Sequence, residues 1–328
     1  MSNSTAGLQH LHDIGNLVGE APRFVKAVAQ LPAIASSEAT VLIAGETGTG
    51  KELIARAVHY LGKRSMYPFV AVSCACFQPT LVEDELFGHE RGAFTDAHAR
   101  RVGLIAHAER GTLFLDEVDA LSPSAQAALL RVMQDKRYRP VGSNTERQAD
   151  VRIVAATNAR LDPALQTGQF RADLYYRLCV FVVNLPPLRE RREDILSLAE
   201  HFLRKHAASD APIPLLSARA RDALLAYDWP GNVRELENVI ERAVVLAVHD
   251  VLSADDLPAE VRGTPQPAPE PARGELLPLE EVERVHVLRV LEAVGGNREE
   301  AARILGISRR TLSRMAQRWT LPDARTRG

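Results

Sequence analysis

Residues 45–52 read GETGTGKE, directly after the apolar run Val41–Ala44 and just before Leu53-Ile54-Ala55-Arg56-Ala57-Val58, whose spacing is helical. Gly45, Gly48 and Gly50 free the backbone to wrap an anion with its own N–H groups, and the start of the following helix adds positive potential. Lys51 supplies a point charge for the β- and γ-phosphates of a nucleotide. The binding residues on this reading are Gly45, Glu46, Thr47, Gly48, Thr49, Gly50, Lys51 and Glu52. A glycine-rich turn that merely ends a strand is the plainer alternative, and it leaves the matched positions in a strand–turn–helix context unexplained. One position departs from the pattern. Ser or Thr normally follows the lysine and offers magnesium a hydroxyl, whereas Glu52 stands here and leaves the metal more dependent on other groups.

Those groups come farther along. The apolar run Thr112–Leu115 ends in Asp116-Glu117, which puts two carboxylates at the carboxyl end of a strand, where α/β proteins bind ligands. Asp116 is suited to hold Mg2+, directly or through water, and Glu117 to polarise a water attacking the γ-phosphate. Alone, such a pair is more often a solvated strand end; beside a phosphate loop, the nucleotide reading prevails. Another apolar run ends at Thr157-Asn158, where the Asn158 amide could orient the same water. No H-E-x-x-H zinc pattern and no G-x-S-x-G nucleophile turn competes.

The elements that must position these residues are legible as well. Residues 40–45, 69–72, 112–115, 151–157 and 180–185 are short, β-branched and almost continuously apolar, as in parallel strands covered on both faces. Helical patterns lie between them, such as Ser124 to Met133, and the alternation implies an α/β sandwich. Beyond Pro186 strands give way to helical spacing at Ile195–Leu203, Ala218–Leu225 and Val233–Leu246, which predicts a small all-helical subdomain. Pro265, Pro267, Pro269 and Pro271 stand at alternate positions and mark an extended linker. A final helical segment occupies about 279–320.

Bulk properties narrow the class. A length of 328 residues with 46% apolar residues suffices for two or three domains with real cores, and the net charge of −2 excludes a uniformly basic coat. Three cysteines make no disulfide framework and point to a reducing cytosol; Cys74 and Cys76, without a second Cys/His pair, read as buried small residues. No signal peptide and no run long enough for a membrane span is present, so a cytoplasmic protein is expected.

With these residues in place, the chain resembles the sigma-54-dependent transcription activators, the bacterial enhancer-binding proteins of the AAA+ ATPase class, from about Asn16 to Leu321. The resemblance accounts for Glu52, because GETGTGKE is characteristic of these proteins. ELFGHERGAFTDA (85–97) is similar to their signature loop, FRADLYYRL (170–178) to their arginine-finger segment, and WPGNVRELENVIERAV (229–244) to their second sensor. It implies an AAA+ P-loop three-layer α/β sandwich with a helical lid and a C-terminal all-α helix-turn-helix domain. The expected segments are a flexible 1–16, the ATPase subdomain 17–186, the lid 187–257, the linker 258–278 and the DNA-binding domain 279–328. It further implies a homo-oligomeric ring, commonly a hexamer, with ATP and Mg2+ between subunits. In that ring Lys51, Asp116 and Glu117 act on the subunit's own nucleotide, and Arg171 and Arg177 reach the neighbour's γ-phosphate. Arg234 senses nucleotide from the lid.

By the same resemblance, Phe94 and Thr95 touch sigma-54 in RNA polymerase holoenzyme. On its own terms ERGAFTDA (90–97) already reads as a tip that displays Phe94, since small and charged residues surround the one aromatic. Two positions depart from the family pattern. Asp96 replaces the usual glycine and adds a negative charge to the tip. Ser73 replaces an Asn at the end of the second strand that holds the catalytic glutamate idle; its shorter side chain is expected to reach less far and to loosen coupling.

Residues 295–319 have the layout of a helix-turn-helix: Ala301, Ala302 and Leu305 on a packed first helix, a turn at Gly306, and Ser308 placed to cap the second helix. The second helix carries Arg309, Arg310, Thr311, Ser313 and Arg314, and from Asn297 onward arginines exceed acidic residues by five. That suits phosphate contact and major-groove reading of DNA; the segment also resembles the Fis-type module of these activators, which implies two-fold pairing on enhancer DNA. A DNA-binding regulator whose nucleotide domain only oligomerises, acting without sigma-54, is the alternative; the retained ELFGHE…GAFT run speaks against it. With about 16 residues before the ATPase pattern, no receiver domain is expected to precede it, and control is expected from a regulator in trans, from expression level or from DNA occupancy.

Overall fold

The computed structural model describes residues 17–77, 82–94, 97–158, 167–207, 212–247, 250–262, 286–287, 290 and 298–318. The chain forms two compact units, residues 1–264 and 265–328. The first is built on five parallel strands: β1 (Val41–Ala44), β2 (Phe69–Ser73), β3 (Thr112–Asp116), β4 (Arg152–Thr157) and β5 (Phe181–Asn184). They are the five apolar runs of the sequence. Their spatial order is β2-β3-β4-β1-β5, so β1 sits where the winding reverses. Because all strands run one way, the carboxyl ends of β1, β3 and β4 lie side by side, with Val41 opposite Val154 and Leu113 opposite Ile153. Three sequence-distant segments thereby meet at one edge, the crevice in which open α/β sheets bind ligands.

Alternation along each strand divides the core between two faces. Leu42, Leu113, Leu115, Ile153 and Ala155 pack against Leu129 and Met133 of helix α2 (Pro123–Asp135) and against Leu174 and Leu178 of helix α3 (Ala172–Leu178). Val41, Ile43, Phe114, Val154, Ala156 and Val183 pack on the opposite face against Phe24, Val28 and Leu31 and against Ile54 and Val58 of helix α1 (Lys51–Tyr60). Helix α2 starts as its sequence dictates, with Ser122 accepting the Ala125 N–H at 3.3 Å and Pro123 in the first turn. Edge strand β2 is only half-buried.

The lid comprises α4 (Asp194–His206), α5 (Ala218–Ala226) and α6 (Asn232–Leu246) around a fully buried Trp229, whose indole N–H donates to the Leu224 carbonyl at 2.9 Å. It is not all-helical. Leu215–Leu216 pair in parallel with Val251–Leu252, too short a run to register as strands in sequence. Residues 259–262, inside the expected linker 258–278, form a helical turn whose Val261 is buried in the lid core; the stretch 263–278 lies outside the described residues. Cysteine burial also differs from expectation: Cys74 is buried and its thiol is pushed up to about 12, chiefly by that burial, whereas Cys76 is exposed.

In the second unit, α7 (Arg298–Ile304) and α8 (Arg309–Arg318) meet through Ala301, Ala302 and Leu312, with Val287 and Val290 in the same cluster. Gly306 turns the chain at φ 68°, and Ser308 Oγ accepts the Thr311 N–H at 3.1 Å, capping α8 as its sequence predicts.

Candidate functional site

The loop between β1 and α1 takes its shape from glycines. Gly48 and Gly50 have φ of 79° and 100°, values strained for other residues. Around it lies a cavity of about 390 Å³ lined by residues 47–54 and Arg56, by Asp116, Glu117, Asn158, Arg191, Lys205, Arg234 and Glu237, and by the apolar Leu17, Val18, Phe24, Leu198 and Phe202. The charged groups around the loop suit a nucleotide's phosphates, and the apolar side chains suit its base.

A hydrogen-bonded chain crosses the charged end. Lys51 Nζ donates to the Gly45 and Glu46 carbonyls, at 2.9 and 3.1 Å, and to Asn158 Oδ1. Asn158 Nδ2 donates to Glu117 Oε1 at 3.0 Å, and Ser73 Oγ donates to Glu117 Oε2 at 2.9 Å. Asp116 Oδ1 accepts the Glu117 N–H at 3.0 Å. Burial pulls the Lys51 ammonium below its usual range, against the opposing pull of Asp116 and Glu117. The ammonium is therefore poorly hydrated and strongly disposed to take phosphate oxygens as replacement partners.

Ser73, expected to reach less far than the usual Asn, does reach Glu117. Ser73 lies directly opposite Asp116 in the β2–β3 ladder, and Glu117 adopts a left-handed backbone, φ 54°, that brings its carboxylate within reach of β2. Both carboxylate oxygens are thus held. Glu52 is turned to Arg56, which binds it at 2.7 and 2.9 Å. Thr49 Oγ1 donates to the Glu46 carbonyl at 2.8 Å. Glu46 accepts both Arg189 guanidinium N–H groups, at 2.8 and 2.6 Å, and Arg189 together with Asn232 holds its carboxyl down to about 2.

Arg171 and Arg177 stand apart from this cavity. Arg171 is exposed and paired with Asp173 at 2.7 Å, which raises its already high basicity. Arg177 is exposed and reaches the Met133 carbonyl at 3.4 Å. Phe94 is 40% exposed, and its ring leans edge-on against His89 with centroids 4.9 Å apart. His89 bonds Asp84 on one side of the loop and the Ala99 carbonyl on the other, at 2.5 and 2.9 Å, and so closes the loop's neck. Thr95 and Asp96 lie outside the described residues. On α8, Arg309, Arg310 and Arg314 are exposed and Thr311 is half-buried; the Ser313 side chain lies outside the described residues.

Comparison with known proteins agrees with this arrangement. Residues 17–184 match the sigma-54 interaction domain, 189–273 the AAA+ ATPase lid domain, and 278–317 the Fis family of bacterial regulatory proteins. The chain belongs to the sigma-54-dependent transcriptional regulators. It is 48% identical to the transcriptional regulatory protein ZraR of Salmonella typhimurium over 297 residues, covering 90% of this chain and 67% of ZraR. The regulatory protein AtoC of Escherichia coli is 42% identical over 331 residues, with 97% and 72% covered. Among solved structures, NtrX from Brucella abortus in complex with ATP superposes with a TM-score of 0.70 at 34% identity, covering 93% of this chain and 70% of that one. This regulator therefore carries an AAA+ nucleotide-binding domain, a lid and a Fis-type DNA-binding module. No helix among the described residues is long and apolar enough to cross a membrane.

Two residues that hold the site escaped the sequence reading. Arg191, almost fully buried, lies 4.7 Å over the Phe24 ring and donates to the Thr49 carbonyl at 3.2 Å; burial lowers its basicity, with Asp194 opposing. In sequence it sits within the charged run LRERRED and reads as solvated surface. Asn232 was visible only as part of the motif that contains Arg234.

Proposed function

We propose that this regulator binds enhancer DNA, assembles a ring, and uses ATP hydrolysis to remodel sigma-54 RNA polymerase from the closed to the open promoter complex in the bacterial cytoplasm. The observation that carries the reading is the convergence of Lys51, Asp116, Glu117, Asn158 and Arg234 on one cavity, in a chain that joins a sigma-54 interaction domain to a Fis-type module. Lys51 and the N–H groups of the loop hold the phosphates. Asp116, an acceptor-only group on the cavity, would hold Mg2+ together with phosphate oxygens, and the ion would supply screening of the phosphate charge when bound. Glu117 acts on the attacking water once released, and Asn158 aligns it. Arg171 and Arg177, exposed and outside their own cavity, serve a neighbouring subunit's nucleotide. Phe94 and Thr95 meet sigma-54, while Arg309, Arg310, Thr311, Ser313 and Arg314 meet DNA.

The deciding experiment is open-complex formation on a sigma-54 promoter with ATP, with Glu117→Ala as control. If the intact protein binds DNA normally yet opens no promoter, its nucleotide domain serves only oligomerisation and the reading is lost. The Ser73 contact yields a second prediction. With one of two restraints on Glu117 removed, Ser73→Ala raises basal ATP turnover by roughly fivefold, the worth of about one hydrogen bond, and lowers the factor by which sigma-54 stimulates it. Steady-state phosphate release with and without sigma-54 checks this; two unchanged rates would mean the hydroxyl does not restrain Glu117.

A further inference from the structure

Helix α6 begins without a side-chain cap. Its first turn nevertheless has a partner, because the Gly48 carbonyl of the phosphate loop accepts the N–H groups of Val233 and Arg234, at 3.0 and 3.2 Å. These are the donors an N-cap side chain ordinarily satisfies. The phosphate loop is thus the cap of the lid helix. The approach is backbone to backbone, since a Cβ on Gly48 would lie 2.2 Å from the Gly231 carbonyl oxygen.

Asn232 fastens this junction. It is fully buried, with φ 54°, a left-handed backbone that Asn tolerates better than most residues. Its Oδ1 accepts the Leu188 N–H at 2.8 Å, and its Nδ2 donates to the Thr47 carbonyl at 3.0 Å and to Glu46 Oε2 at 3.2 Å. One planar amide therefore joins the segment leading into the lid, the phosphate loop and the loop's carboxylate. Only a side chain with both donor and acceptor can do this. Trp229, buried in the lid core, anchors the same turn from the other side. We propose that Asn232 is a positioning residue that locks the lid helix to the phosphate loop, so that loop conformation and lid angle change together and Arg234 follows both.

The inference depends on ATP binding only for its affinity arm. Asn232→Asp keeps size, backbone tolerance and the acceptor toward Leu188, but turns an oxygen toward the Thr47 carbonyl and the Glu46 carboxylate. Asn232→Gly keeps the backbone and removes all these bonds. In the nucleotide-free full chain, hydrogen exchange at the Val233 and Arg234 amides is expected to accelerate about tenfold or more in both variants, a factor that corresponds to ~1.4 kcal/mol. Exchange across α5 stays as in the parent protein, which separates unlocking from general unfolding. The Kd of a fluorescent ATP analogue rises by about the same factor. Exchange at Val233 and Arg234 within twofold of the parent, or an equal acceleration throughout the lid, overturns the proposal. A parent protein that binds no ATP would sink the ATPase reading and leave the exchange result to decide this one.

Discussion

Alanine in place of Glu117 is expected to leave ATP bound and unhydrolysed. The phosphate loop, Lys51 and Asp116 are untouched by the change, so the Kd for ATP stays within about threefold of the parent, whereas turnover falls by a factor on the order of 10² to 10⁴, the range for a general base. The geometry says why this carboxylate carries so much. Glu117 hangs at the carboxyl end of β3, its backbone in a left-handed turn, with one oxygen on Ser73 and the other on Asn158. Neighbouring carboxylates among the described residues are engaged otherwise: Asp119 accepts the Thr157 hydroxyl at 2.7 Å, Glu46 and Glu52 are held by arginines, and Glu237 by Lys205 at 2.6 Å. Phosphate release and fluorescent-nucleotide titration measure the two quantities separately. Turnover above a tenth of the parent's would show that another group activates the water.

The strands and most of this site could be read from the chain because a doubly covered parallel sheet demands near-continuous apolar runs, and because a phosphate loop demands glycines at fixed intervals. Val41–Ala44, Arg152–Thr157 and the GETGTGKE turn are of this kind. What stayed hidden depends on contacts between distant segments. Nothing local distinguishes Arg191 from the exposed arginines on either side of it in LRERRED; its burial follows from Phe24 and the Thr49 carbonyl arriving from elsewhere. Ser73 shows the converse. Side-chain length alone suggested a shorter reach than that of Asn, yet the strand register and a left-handed φ bring Ser73 and Glu117 together. The short antiparallel pairs Gly88–His89 with Arg101–Val102 and Arg137–Tyr138 with Arg147–Gln148 left no pattern either, since two residues cannot establish a period.

Removing either Arg171 or Arg177 is expected to lower kcat by about 10³ or more, the scale of an arginine finger, with little change in ATP affinity. Arg171 holds Asp173 in an exposed ion pair, a contact of small net worth in water and therefore readily exchanged for a phosphate. Among the described residues, Arg177 is held by a long bond to the Met133 carbonyl. Neither lines the cavity of its own subunit, so a role in hydrolysis requires a second copy. Mixing tests this directly. Arg171→Ala subunits have an intact Glu117 and lack the finger; Glu117→Ala subunits keep the finger and lack the base. Each alone is inactive. In a mixed ring, one class of interface pairs an intact site with an intact finger, so turnover reappears on mixing at a fraction of the parent rate and falls again on dilution below the assembly concentration. A finger acting within its own subunit gives no recovery at any ratio. Recovery with the Arg171→Ala chain but not with Arg177→Ala would assign the trans contact to Arg171 and leave Arg177 holding the end of α3 against α2.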